Sequence, residues 1–231
     1  MNGEYVLENN NNLKESIKGY LRAISIFTYL FIKRLFDIFC ALFGVLLLIP
    51  IMIVIKVISV ISGDFNSIMY SQERIGMDGK VFYLYKFRTM VPNADKILEQ
   101  TLNGSQELKL EWIQNQKLEN DPRITKVGKI IRKLSIDEVP QFVNILMGDM
   151  SLIGPRPLVK GELDDHDGNH DIYESVKPGI TGWWACNGRN ATTYEKRLEL
   201  EYYYVNNRSL LMDIKCILGT VKAVIKRDGA K

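Results

Sequence analysis

The feature that most constrains this chain is an uncharged apolar run from Ile38 to Ile55, 18 residues long, with Pro50 inside it. Such a run is at the lower edge of what spans a bilayer as a helix. The wider stretch Leu35–Ile61 is apolar on every helical face, which disfavours a soluble core helix with one wet side. Proline removes a backbone donor and clashes with the carbonyl four residues earlier, so the reading predicts a helix broken at Pro50 into two short halves. Halves of that length suit a re-entrant or interfacial segment better than a span. Lys14, Lys18, Arg22, Lys33 and Arg34 precede the run and Lys56 ends it. The positive-inside rule places the leading flank in the cytoplasm. If the charged remainder stays on that side, the segment dips in and returns. A spanning helix that tolerates its proline is the alternative.

This run divides the chain into a polar, then amphipathic segment at 1–32, a membrane segment at 33–62 and a charged domain at 63–231. The N-terminal residues lack the apolar core and small-residue site of a cleavable leader, and residues 1–19 are expected to be loosely ordered. The net charge of +3, with no dense basic stripe, argues against a nucleic-acid partner. It suits anionic lipid headgroups or phosphate substrates. Cys40, Cys186 and Cys216 are odd in number and lack zinc spacing, so they read as structural thiols in a reducing compartment.

The fold class expected for 63–231 is α+β and rich in helix. Ile68–Tyr70 and Val81–Tyr85 read as strands of a small β-hairpin around the turn Gly76–Gly79. Pro92–Asn115 is helical in composition but weakened at Asn103–Gly104, and Asp121–Pro122 marks a turn. Ile124–Met147 mixes helix and turn, ending at Gly148. Ala191–Tyr204 and Leu210–Ile225 have the spacing of amphipathic helices, the second apolar enough for an interface.

Four groups of residues could carry chemistry. Asp137-Glu138 follows Arg132-Lys133. Adjacent carboxylates on a helix point about 100° apart, so they suit two jobs, a nucleophile and a metal ligand, better than one shared proton. The same segment reads equally as a capping box, Ser135 with Glu138, although Pro140 disfavours helical geometry at Val139 and can instead open a later helix. Arg74, Lys86, Arg88, Arg123, Arg132 and Arg156 could fork onto phosphate oxygens or be solvated surface charges. Arg156 stands between two prolines on a stiff backbone. Lys177–Trp184 with Asn187–Asn190 is a glycine-rich aromatic loop, either a ligand platform or core filler. Asp164–Asp171 with His166 and His170 reads as a solvated acidic loop rather than a metal site.

In chain order, Lys33–Asp37, Gln72–Gly76, Tyr85–Met90, Asp121–Thr125 with Gly128, Asp137-Glu138, Gly148–Pro157 and the loop Pro178–Asn190 resemble the bacterial sugar transferase family, the monotopic phosphoglycosyl transferases. The resemblance covers roughly residues 33–226. It implies a re-entrant membrane helix at the cytoplasmic face of the inner membrane of a bacterium. It implies a donor UDP-sugar, an acceptor polyprenyl phosphate and Mg²⁺ held by Glu138. Asp137 would form a covalent phosphosugar and release UMP. Arg132 and Arg156 match positions expected to hold phosphate, with Lys86, Arg88 and Arg123 as further candidates. A homo-oligomer is compatible with this reading. The chain departs from the family at Ile49-Pro50, where a Ser-Pro step is usual, and at Asp64–Ser67, where a proline-glycine turn is common.

Overall fold

A computed structural model describes residues 2–115, 118–188 and 192–226. Helix α1, Asn2–Ile61, carries Pro50 inside it. The expected break there is corrected: backbone helix runs without interruption through the proline and back through the polar N-terminal segment to Asn2. Proline has a helical φ, so it costs the donor toward the Leu46 carbonyl and some strain rather than the helix itself. The chain on both sides of it is gripped by the same domain. Asp37, Ala41, Gly44, Leu48, Ile55 and Ser59 are buried at helical spacing on one stripe. Phe39, Leu42, Phe43, Leu46, Ile49 and Ile53 stay exposed on the rest.

Polar contacts fix this docking. Lys33 Nζ donates to the Ile153 carbonyl at 2.9 Å and pairs with Asp213 at 3.1 Å. Arg34 donates to the Ile145 and Leu146 carbonyls at 2.7 and 3.1 Å. An Asp37 oxygen accepts the Leu152 N–H at 2.8 Å and the Ser151 hydroxyl at 3.1 Å. All six partners lie far away in sequence.

Strands β1, Met69–Ile75, and β2, Val81–Phe87, pair antiparallel from Met69 opposite Phe87 to Ile75 opposite Val81. The turn between them puts Asp78 at φ 58°. This is the predicted hairpin, with a longer first strand. Helices α2, Ala94–Gly104, and α3, Gln106–Asn115, are separated at Ser105, next to the predicted weak point. Helix α4, Lys126–Lys133, is capped by the Thr125 hydroxyl, which accepts the Gly128 N–H at 2.8 Å. A single 3₁₀ turn, Ile136–Glu138, leads to α5, Gln141–Met147, which Pro140 opens and Gly148 ends at φ 93°.

Strand β3, Ser151–Ile153, pairs in parallel with β4, Gly179–Thr181, a contact the sequence pattern missed because both pieces are only three residues long. Short helices α6, His170–Tyr173, and α7, Trp183–Cys186, precede and follow β4 in sequence. Helices α8, Tyr194–Asn207, and α9, Leu210–Lys226, complete the order. Arg189, Asn190, Ala191 and Arg227, which the sequence reading included in its loop and helices, lie outside the described residues.

The core is a string of contacts between these pieces. Ala41 of α1 packs with Phe82, Leu84, Ile145 and Met150. Leu48 and Ile55 pack with Phe87 and Ile131. Ile153 packs with Tyr204, Val205, Met212 and Cys216 of the last two helices. Fully buried Asn144 joins hairpin to α5: its amide donates to the Tyr83 carbonyl at 2.7 Å and accepts the Tyr85 N–H at 3.1 Å. The side chain thereby satisfies backbone groups on the free edge of β2.

Candidate active site

The ends of these elements meet at one open cleft of about 1350 Å³, solvent mouth included. Along β2 side chains alternate, so Phe82 and Leu84 enter the core and Lys86, on the same face, reaches the cleft. The last turn of α4 supplies Arg132, and the 3₁₀ turn supplies Asp137 and Glu138. The segment after β3 supplies Arg156, and β4 with α7 supplies Thr181, Gly182 and Trp184.

The helix-cap reading of Asp137-Glu138 finds no support in this geometry. Ser135 has a left-handed backbone, φ 54°, and its side chain caps nothing. Both carboxyls are half-buried in the cleft wall. Glu138 accepts from Lys86 Nζ at 3.3 Å. Burial, and then the neighbouring Glu138 charge, push Asp137 above the usual carboxylate range, while Lys86 and Arg132 pull it back. Arg132 is steadied by its Nε, which donates to the Thr89 hydroxyl at 2.8 Å. The Arg156 guanidinium lines the cleft with no hydrogen-bond partner among the described residues. Arg74, Lys86, Arg132 and Arg156 face Asp137, Glu138 and Glu201, so the lining is a close balance of cations and carboxyls.

Two of the sequence candidates are not brought here. Arg88 lies on the other side of the hairpin end, where it donates to the Asp64 carboxylate at 2.7 Å, to the Met90 carbonyl at 2.8 Å and to the Ser67 carbonyl. It ties the loop after α1 to β2, and Asp64 is held below its usual range mainly by that hydrogen bond. Arg123 is buried in a forked pair with Asp121, 2.7 to 3.1 Å, with its guanidinium over the Trp112 ring. Its charge is already matched by a carboxylate, so it serves the turn rather than the cleft.

The structure brings in Arg74 and Trp184, which the sequence reading named in its cation set and its aromatic loop, and adds Gln141 and Glu201, which it passed over. Arg74 lines the cleft from β1, donating to Gln72 at 2.8 Å. Gln141, buried at the start of α5, lines the cleft together with Asp137 and Glu138. Trp184 holds the far end, stacked under the Arg197 guanidinium at 5.0 Å. Glu201 is 1% exposed yet lines the same cleft. Its signal was present in sequence: on α8 it shares the stripe of Leu198 and Val205, where a carboxylate is out of place. In the acidic loop, exposed His170 is bonded by Glu174 and Asp164 at 2.6 and 2.8 Å, and no three-residue metal cluster occurs among the described residues.

The chain is 44% identical over 200 residues to a UDP-galactose-lipid carrier transferase of Erwinia amylovora, covering 87% of this chain and 42% of the relative. It is 43% identical over 200 residues to an undecaprenyl-phosphate galactose phosphotransferase of Salmonella typhimurium, with the same coverage of 87% and 42%. The chain therefore spans less than half the length of these two relatives. With the exopolysaccharide production protein ExoY of Rhizobium meliloti it is 40% identical over 198 residues, 86% of this chain and 87% of the relative. A family model described as bacterial sugar transferase matches residues 28–227, a range that takes in every residue of the cleft, and the chain belongs to the bacterial sugar transferase family.

Proposed function

We propose that this protein transfers a sugar 1-phosphate from a UDP-sugar to a polyprenyl phosphate at the cytoplasmic face of a bacterial inner membrane, in the first membrane step of glycan assembly. The observation that carries the reading is one half-buried aspartate, Asp137, in a cleft with four cations and a second carboxylate beside it. An Asp137 oxygen attacks the phosphorus next to the sugar. The bond from that phosphorus to the bridging oxygen breaks, and UMP leaves with the electron pair. An oxygen of polyprenyl phosphate then attacks the same phosphorus, the aspartyl–phosphorus bond breaks, and Asp137 is restored as polyprenyl diphosphate sugar departs.

Arg132 and Arg156 are placed to meet phosphate oxygens, and Lys86 to neutralise charge near the dyad. Magnesium fits the donor set, because that ion is commonly held by one or two carboxylates plus substrate phosphates rather than by an all-protein cage. Glu138, with Asp137 beside it, would hold it after Lys86 yields. When bound, the ion supplies neutralisation of the pyrophosphate charge.

Attachment to the membrane is read from α1 and α9. The α1 stretch Ile17–Ile61 is long and apolar enough to cross a bilayer by length and composition. One of its faces is nevertheless docked on the domain from Lys33 to Ser59, about 39 Å of helix at 1.5 Å per residue. Both flanks of the apolar run thus lie on the same domain, which favours a monotopic anchor over a span that leaves the domain behind. Leu211, Ile214, Leu218 and Val221 extend the exposed apolar surface along α9.

The test is purified protein in nanodiscs with Mg²⁺, undecaprenyl phosphate and a panel of UDP-sugars including UDP-galactose. UMP released from one donor and lost in Asp137→Asn supports phosphosugar transfer. Release of UDP would make the protein a glycosyltransferase, and near-normal turnover in Asp137→Asn would remove the nucleophile.

A further inference from the structure

Arg156 is the cleft cation with the stiffest mount. Pro155 and Pro157 limit the backbone on either side of it. Its own peptide groups are gripped from both ends. The Arg156 N–H donates to Glu201 Oε1 at 3.1 Å. The Arg156 carbonyl accepts from the Tyr173 hydroxyl at 2.9 Å. Arg74 reaches the next carbonyl, that of Pro157, at 3.5 Å.

Glu201 is the costly member of this arrangement. It is 1% exposed, and burial raises it to about 7, against the pull of the Arg156 N–H, Arg197 and Arg156. Its second oxygen, Oε2, has no hydrogen-bond partner among the described residues. Among the described residues, the other buried side-chain nitrogen or oxygen atoms without partners are Arg74 Nε and Arg197 Nε and Nη2. Arg74 lines the same cleft, and Arg197 sits one helical turn before Glu201 on α8. A buried carboxyl carries a desolvation cost that an apolar residue of similar size would not. The hydrogen bond Glu201 makes is to the peptide that carries Arg156.

We propose that Glu201 is a positioning residue for Arg156, fixing its peptide so that the guanidinium stands preset over the cleft to take a phosphate oxygen of the donor. The proposal rests on the phosphosugar-transfer reading of this cleft. A preset donor needs no reorganisation when charge builds on the transferring phosphorus, and loss of about 1 Å of registry can cost 10²-fold in rate.

The experiment is a double-mutant cycle read as kcat/KM of UMP release in nanodiscs, with the thermal midpoint of each variant recorded. Glu201→Leu is expected to lose roughly 10- to 100-fold, and Arg156→Ala a comparable or larger factor. In the Arg156→Ala background, Glu201→Leu is expected to cost under about 3-fold, because a positioning residue acts only through its target. Glu201→Gln, which keeps an acceptor oxygen for the Arg156 N–H, is expected to recover most of the loss. Tyr173→Phe frees the carbonyl end of the same peptide and serves as the second probe should Glu201→Leu fail to fold. Its smaller loss is also expected to vanish without Arg156. Equal losses in both backgrounds, or a Gln variant as poor as Leu, overturn the proposal while leaving transfer intact. A wild-type protein that releases no UMP overturns the transfer reading instead.

Discussion

Gly44 tests the docking of α1 most directly. A Cβ built there would stand 2.3 Å from Cγ of Phe142 on α5, against about 3.5–4.0 Å for a normal carbon contact. Alanine at 44 therefore forces the helix or the ring to move by more than 1 Å, an overpacking that costs about 1–3 kcal/mol. Alanine also gains about 1 kcal/mol in helix propensity, which blurs a single measurement. Gly19 on the same helix removes that term, since no atom of the described residues lies within 4 Å of a Cβ there. Both substitutions gain the propensity and only one meets the ring. At about 2–4 °C per kcal/mol for a chain of this size, Gly44→Ala should melt some 2–12 °C below Gly19→Ala. The assay is thermal unfolding of both variants in one detergent at one scan rate, so that only the substitution differs. Phe142→Leu should cost less in the Gly44→Ala background than alone. Equal midpoints for the two alanine variants would refute the close approach of α1 and α5, and with it the docked stripe.

Asp137→Asn should abolish UMP release yet raise the thermal midpoint near pH 7. The fold raises the Asp137 pKa, so its ionised form destabilises the folded state, and that destabilisation appears as pH climbs through the raised value. Turnover depends on the opposite form: the nucleophile must be ionised, so kcat/KM should fall as the pH is lowered through a point above that of an ordinary aspartate. Lys86→Met removes a cation that lowers Asp137 and should move this acidic limb further upward, as a pH–rate profile will show. Asp37→Ala should destabilise by about 3 kcal/mol, because the Leu152 N–H and the Ser151 hydroxyl lose a buried carboxyl acceptor. Denaturant titration followed by tryptophan fluorescence measures it.

Much of this molecule was legible along the chain because the signals are local. Hairpin, helix stop at Gly148 and weak point near Gly104 follow from turn residues and backbone freedom within a few positions. The apolar run announces a membrane segment by composition alone, and ordered motifs named the family before any contact was known. Most pairing of charges was not legible, the Asp121–Arg123 pair two residues apart being the local exception. Arg88 and Arg123 carry the same guanidinium as Arg132 and Arg156, but Asp64 and Asp121 claim the first two while the cleft keeps the others. Glu201 lies 45 residues from the peptide it holds, and Lys33 lies 120 residues from the Ile153 carbonyl. Periodicity carries no information at such separations. Pro50 shows the same limit from the other side. Local rules predict a broken helix, whereas the packing of Leu48 and Ile55 on Phe87 and Ile131 holds both sides of the proline on one axis. Composition and pattern determined most of the pieces that form, and that one helix is long and apolar enough to cross a membrane. Only the tertiary structure decided which buried charges face each other, because a partner is chosen by proximity in space and by the desolvation that follows, and neither is written within a few residues of chain.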